Sequence, residues 1–280
     1  MKKRVYFYFA LILIVYGLLV GVFYVYQESL IYVPSTEMLS HPGHYGMEYE
    51  EIRFPSEDGT ILHGWFLPHK SSGPVVLMCH GNAGNISYMI DSAKVLWDMG
   101  YSVFVFDYRS YGLSQAKPLS EEATYMDTRA AYLWLKNSKG YAEDQIIVHG
   151  RSLGGPQAAH VARRFFPKAL VLESTFTSLP ELGKQLYPWL PVLLLSRVQY
   201  PTLEDVKAVR CPVLIVHSTQ DEVIPYPHGQ KIFETAPEPK SFVTITGDHN
   251  EGYFTSGKTY VDGLKSFLMG LNSSQAEGVE

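Results

Sequence analysis

The chain has 280 residues, 46% of them hydrophobic and 18% charged, with a formal net charge of −5. That balance describes a folded chain with material for a sizeable core, and it excludes intrinsic disorder. An acidic surplus gives no electrostatic footprint for nucleic acid, so a nucleic-acid partner is excluded as well.

The first element in chain order is apolar. Residues 5–26 carry no charge, and a helix of that length is about 33 Å long, enough to cross a bilayer core. Tyr6 and Tyr8 near one end, and Tyr24, Tyr26 and Tyr32 near the other, suit the aromatic belts of membrane interfaces. Lys2, Lys3 and Arg4 precede the span, and no Lys or Arg follows until Arg53. By the positive-inside rule the N-terminus stays cytoplasmic and the rest of the chain faces the other side, the periplasm in a Gram-negative cell. A cleaved signal peptide would have a shorter apolar core ending at a small-x-small site, and no convincing site is present. The expected layout is a cytoplasmic stub over 1–4, a transmembrane signal anchor over 5–26 and a linker over 27–47. One domain over 48–271 and a disordered tail over 272–280 complete it. Cys79 and Cys211 each belong to an apolar run, which suits buried thiols better than a disulfide framework.

From residue 48 the pattern alternates between two periods. EYEEIRF (48–54) and ILHGWFLP (61–68) alternate as antiparallel strands at a sheet edge do. PVVLMCH (74–80) is a continuous apolar run, as in a strand covered on both faces. A helix is predicted over 87–100, a strand over 102–109 and a helix over 120–137 that Ser120 caps, with Glu121 and Glu122 in its first turn. A strand over 145–150, a helix over 155–166 and a strand over 169–175 follow. After a less regular stretch come a strand over 212–218, a helix near 228–236, a strand over 241–247 and a helix over 260–271. Strands separated by helices imply a parallel sheet covered on both faces.

In such a sheet, ligands bind beyond the carboxyl ends of the strands. Residues with chemistry collect there: HGNAGN (80–85) after the third strand, Ser152 after the fifth, Asp221 after the seventh and His249 after the eighth. Gly150-x-Ser152-x-Gly154 alone is weak, because a chain rich in Gly and Ser supplies that pattern by chance. Its weight comes from the order Ser…Asp…His, which is the chain order of one type of catalytic triad. Acyl transfer needs a serine whose proton an imidazole can take, and a carboxylate that fixes the imidazole's tautomer. The backbone N–H groups of Leu153 and Asn82 are the expected oxyanion donors.

HGNAGN, DYRSYGLS (107–114), HGRSLGGP (149–156), HSTQDEVIP (217–225) and GDHNEGY (247–253) together resemble the landmarks of the α/β-hydrolase superfamily. They are similar in particular to its membrane-anchored branch, which includes depalmitoylases and serine aminopeptidase-like proteins. The resemblance covers about residues 48–271. It implies a mostly parallel eight-stranded sheet with helices on both faces, a short cap, and the triad Ser152, Asp221 and His249. Two departures are visible: Ser110 and Ser218 stand where the family usually has Gly.

Several residues compete for these roles. Glu173, ending the sixth strand, is the rival acid, and Asp248 adjoins His249. His80, His149, His160 and His217 read as structural, and Asp107 and Arg109 as braces of the loop after the fourth strand. The segment 180–201 occupies the place of a cap. The expected activity is hydrolysis of an acyl ester or thioester through an acyl-enzyme, beside the lipid bilayer that holds the anchor, with no metal or organic cofactor. A serine aminopeptidase or small-peptide hydrolase is the alternative, for which Glu173, Glu181 and Glu204 are the nearby carboxylates. A non-catalytic membrane-tethered binding protein is the third reading.

Overall fold

The structure is a computed structural model and describes residues 2–71 and 73–273. Eight strands form one sheet: β1 (Glu50–Pro55), β2 (Ile61–Leu67), β3 (Val75–Cys79), β4 (Ser102–Asp107), β5 (Ile146–Arg151), β6 (Ala169–Glu173), β7 (Val213–Ser218) and β8 (Lys240–Ile245). Their spatial order is β1-β2-β4-β3-β5-β6-β7-β8. β2 pairs antiparallel with both β1 and β4, and the remaining neighbours are parallel. The antiparallel edge and the parallel centre are the ones the sequence pattern predicts.

The helices are α1 (Lys2–Ile31), α2 (Ile90–Asp98), α3 (Glu121–Asn137), α4 (Gly154–Arg164), α5 (Leu179–Leu186), α6 (Val192–Leu195), α7 (Thr202–Lys207), α8 (Pro227–Thr235), α9 (Gly252–Ser256) and α10 (Lys258–Ser273). Successive strand side chains point to opposite faces, so a run apolar at every position needs cover on both. Leu77, Phe104, Val148 and Leu172 meet the α3, α4 and α8 residues Ala131, Ala159 and Ile232 in one core. Val76, Val105, Ile147 and Leu214 meet the α2 and α10 residues Leu96, Leu264 and Leu268 in the other. Ser120 caps α3 as expected, accepting the N–H of Ala123 at 3.1 Å.

Several boundaries differ from expectation. The helix expected from residue 87 opens as a 3-10 turn (Ile86–Met89), because Asn85 caps it by accepting the Ser87 N–H at 2.9 Å. The last helix runs to Ser273, so the first two residues of the expected tail lie in it and the rest lie outside the described residues. α1 continues past Tyr26 to Ile31, and it is long and apolar enough to cross a membrane.

The segment following α1 is stitched to the loop after β3. Val33–Pro34 pairs in parallel with Ala83–Gly84, and the Asn85 side chain donates to the carbonyls of Ser35 (3.0 Å) and Glu37 (2.7 Å). The cap position holds α5 and α6, two short helices between β6 and β7.

Candidate active site

Ser152 sits between β5 and α4 with φ +53°, a left-handed conformation that costs a non-glycine residue about 1–3 kcal/mol. The surroundings hold it there. Its N–H donates to the Glu173 carbonyl (2.9 Å), and its own carbonyl accepts the Thr175 hydroxyl (2.7 Å). The turn is too crowded for side chains at the flanking glycines. A Cβ on Gly150 would stand 2.3 Å from the Gly154 carbonyl oxygen, and one on Gly154 would stand 2.1 Å from that of Cys79.

His249, after β8, and Asp221, after β7, converge on this serine. The His249 Nδ1 to Asp221 Oδ2 distance is 2.8 Å, and His249 Nε2 to Ser152 Oγ is 2.9 Å. An ionised carboxylate only accepts, so Nδ1 carries the ring proton, Nε2 is left as an acceptor and the serine hydroxyl donates to it. Burial alone would raise the Asp221 carboxyl. The hydrogen bond and charge of His249, joined by the Ile224 N–H, outweigh that and hold it below the ordinary value. The other carboxylate oxygen accepts the N–H groups of Val223 (3.0 Å) and Ile224 (2.7 Å), which fixes its orientation.

Asn82 and Leu153 reach the same mouth. The loop carrying Asn82 lies against the serine, since a Cβ on Gly81 would stand 3.4 Å from that of Ser152. Among the described residues, the backbone N–H groups of Asn82 and Leu153 have no acceptor within the protein. The Asn82 side chain is occupied elsewhere: its Oδ1 accepts the Val33 N–H at 3.1 Å.

The competing residues have other partners. Glu173 accepts the Tyr260 hydroxyl (2.7 Å), pairs with His149 Nε2 (3.1 Å) and faces Arg151 Nε (3.5 Å). Burial pushes its carboxyl up, but His149, the Arg151 charge and Tyr260 together bring it down to about 2. Asp248 accepts the N–H groups of Asn250 and Glu251, capping a turn. The His80 ring donates from Nδ1 to the Gly81 carbonyl at 2.8 Å, and His160 stacks on Tyr125. Asp107 accepts the Ile86 N–H (2.9 Å), and Arg109 forks onto Asp127 with its third nitrogen on Asp58.

Four residues support the site, of which the sequence singled out His217 as structural and Ser218 as a departure but not Arg151 or Glu222. Arg151 donates to the His249 carbonyl (3.0 Å) and Glu222 accepts the His249 N–H (3.1 Å), so both ends of that loop residue are tied. His217 donates to the Ile224 carbonyl (2.9 Å), bracing the turn that presents Asp221. Ser218, one of the two departures from the family pattern, donates to the Gly247 carbonyl and so links the Asp221 and His249 loops. The other departure, Ser110, has φ +66°, and its hydroxyl offsets that strain by donating to the Lys117 carbonyl at 2.7 Å. No signal in the sequence distinguishes Arg151 and Glu222, because their partner His249 is remote in the chain.

Ser152, Leu153, His249 and Asn82 line a cavity of about 890 Å³ whose other walls are mostly apolar and come from α1, α5 and α6. Glu173, Glu181 and Glu204 do not line it. Among the described residues no group of three or more His, Cys, Asp or Glu is arranged to hold a metal ion.

Comparison with known proteins agrees with this architecture. Residues 74–196 match the family described as alpha/beta hydrolase fold. An uncharacterized protein of Mycobacterium tuberculosis is 37% identical over 245 residues, covering 86% of this chain and 87% of that one. A Saccharomyces cerevisiae protein described as an uncharacterized membrane protein is 29% identical, covering 89% and 91%. Among solved structures, a Pyrococcus furiosus esterase superposes with a TM-score of 0.73 at 20% identity, covering 86% of this chain and 97% of that one. At that identity the likeness carries the fold.

Proposed function

This chain belongs to the α/β-hydrolase superfamily, and from that premise we propose that it is a membrane-anchored serine hydrolase of acyl esters or thioesters. The observation that carries the reading is the unbroken chain Asp221–His249–Ser152, with contacts of 2.8 and 2.9 Å, at the mouth of an apolar cavity. Ser152 Oγ attacks the acyl carbonyl as its proton passes to His249 Nε2. The N–H groups of Leu153 and Asn82 hold the oxyanion. Collapse of the tetrahedral intermediate breaks the bond to the leaving oxygen or sulfur, which departs with the proton from His249. Water then attacks the acyl-Ser152 ester, giving one proton to Nε2. The acid leaves, and that proton returns to the serine oxygen.

Asp221 holds the imidazole in the tautomer this requires and stabilises the imidazolium that forms. Amide hydrolysis is less well supported. A site for a substrate's free amine needs a carboxylate facing the cavity; the three acids the sequence offers do not line it, and Glu251 is the one carboxylate among the lining residues.

The anchor is assigned to residues 5–26 with residues 1–4 in the cytoplasm, and the catalytic domain to residues 48–271 on the extracytoplasmic side. Three basic residues before the span and none after it until Arg53 support that orientation. A fluorescent reporter that matures only in the cytoplasm, fused to the C-terminus, should stay dark.

Labelling with a fluorophosphonate probe tests the chemistry. The wild type should label and Ser152→Ala should not; a folded wild type that does not label removes the enzymatic reading. p-Nitrophenyl esters set beside aminoacyl-naphthylamides test the substrate class, and turnover of the amides alone would reverse the order of esterase and peptidase.

A further inference from the structure

The turn between α5 and α6 has an unusual surface. Residues 186–195, LYPWLPVLLL, carry no charge, and Trp189, Leu193 and Leu194 stand exposed, Leu194 by 87%. In water such a patch is a liability, and on a chain of this kind it marks a contact with something apolar.

What covers it follows from its neighbour. The Tyr16 hydroxyl donates to the Trp189 carbonyl at 2.8 Å, and the Phe23 ring meets those of Trp189 (5.6 Å) and Tyr187 (6.1 Å). Further along α1, Gln27 Nε2 donates to the Leu195 carbonyl at 3.3 Å, and Gln27 Oε1 accepts the Arg197 N–H at 2.7 Å. The Arg197 guanidinium lies 5.2 Å from the Tyr24 ring centre. Tyr16 is near the middle of the apolar span, about 15 Å along the helix axis from its end at Tyr26. The turn therefore descends α1 from the level of Gln27, one residue before the first charge at Glu28, to the level of mid-span.

We infer that residues 186–195 are inserted in the hydrocarbon layer that α1 crosses and that the active-site cavity opens into that layer. The substrate is then a long-chain acyl ester whose chain lies in the leaflet on the domain side. The substrate class rests on the serine-hydrolase reading; the insertion rests on α1 crossing the membrane.

The backbone suits such a place, where exposed N–H groups are costly. Pro188 and Pro191 have none, that of Tyr187 donates to the Gly183 carbonyl of α5, and those of Leu190, Val192, Leu194 and Leu195 donate within residues 186–195, which leaves those of Trp189 and Leu193 without an acceptor among the described residues. The cavity runs between α1 and the turn, walled by Phe23 within the span, by Leu30 and Ile31 just beyond it, and by Leu186, Leu190 and Leu195. An acyl chain entering from the leaflet meets these apolar side chains on its way to Ser152.

The test uses the full-length protein in phosphatidylcholine vesicles. Leu194→Cys and, as a reference, Phe254→Cys are each treated with a water-soluble maleimide. Phe254 is 76% exposed and lies in α9, outside residues 186–195, and the two native cysteines are buried. The Leu194→Cys variant should label at least tenfold more slowly than the reference in vesicles and equally once both are dissolved in dodecyl sulfate. Equal labelling in vesicles overturns the insertion, and that result needs no turnover.

The substrate class is read with 4-methylumbelliferyl oleate dissolved in the vesicles and with the acetate ester in water. Leu194 does not line the cavity. Leu194→Glu should lower oleate hydrolysis at least tenfold and leave acetate hydrolysis within twofold. An equal effect on both esters overturns lateral entry. A wild type that splits neither ester sinks the hydrolase reading, and the substrate class with it.

Discussion

Two buried carboxylates close to Ser152 show how environment separates roles. Asp221 offers one oxygen to His249 and the other to two backbone N–H groups, so Asp221→Asn keeps the shape and loses the tautomer control. Turnover should fall by about 10⁴-fold, measured as kcat on a soluble ester, with fluorophosphonate labelling slowed in parallel. Glu173 is built into the scaffold instead, held by His149, Arg151 and Tyr260. Its pKa is depressed from the ordinary 4.5 to about 2, so the ionised form is favoured by the fold. Its contribution is present in full above pH 4.5 and is lost as pH falls through 2. Glu173→Gln should therefore cost on the order of 3 kcal/mol near neutral pH. Urea unfolding at a series of pH values should show the gap from wild type closing as the solution becomes acidic.

At the scale of elements, the site depends on how closely α4 approaches the sheet. α4 begins at Gly154, whose α-carbon lies so near β3 that a methyl group would overlap the Cys79 carbonyl. The obstacle is backbone at the centre of a parallel sheet, which has no room to give. Gly154→Ala should lower stability by about 3 kcal/mol, at the upper end of overpacking costs. It should also displace Ser152 from His249. Thermal unfolding reads the first effect, and the fluorophosphonate labelling rate of the protein that remains folded reads the second.

On the scale of the whole molecule, the apolar helix is joined to the domain through a buried polar relay. The Tyr200 hydroxyl meets those of Tyr32 (2.7 Å), just beyond α1, and Thr124 (2.8 Å), in α3. Glu121 of α3 accepts the N–H groups of Gln199 and Tyr200, fixing the end of the cap segment to the same point. Tyr200→Phe leaves the buried Tyr32 hydroxyl without this partner and should cost about 1–3 kcal/mol in urea unfolding. Limited proteolysis should then cut more readily between residues 32 and 41, where the chain leaves α1. The same segment carries Val33, whose N–H holds the Asn82 side chain. The segment after α1 thus touches the loop that carries Asn82, and α1 itself supplies a wall of the cavity.

The sequence by itself determined the strand and helix order and the loops that carry Ser152, Asp221 and His249. Those signals are local: apolar periodicity, turn glycines, a capping serine, and position after a strand. Period also set β1 apart from the buried central strands, because a strand covered on both faces is apolar at every residue, whereas β2, read as an edge strand, is buried from Leu62 on between β1 and β4. What only the tertiary structure decided are contacts between residues distant in the chain, which leave no periodic trace. Arg151 on the His249 carbonyl, Tyr16 on the Trp189 carbonyl and Val33 on Asn82 are of that kind. The reason Asp221, which the sequence favoured, and not its rival Glu173 meets His249 belongs there too. Both follow strands, both are buried acids, and the decision lies in which carboxylate the packed sheet directs toward the imidazole.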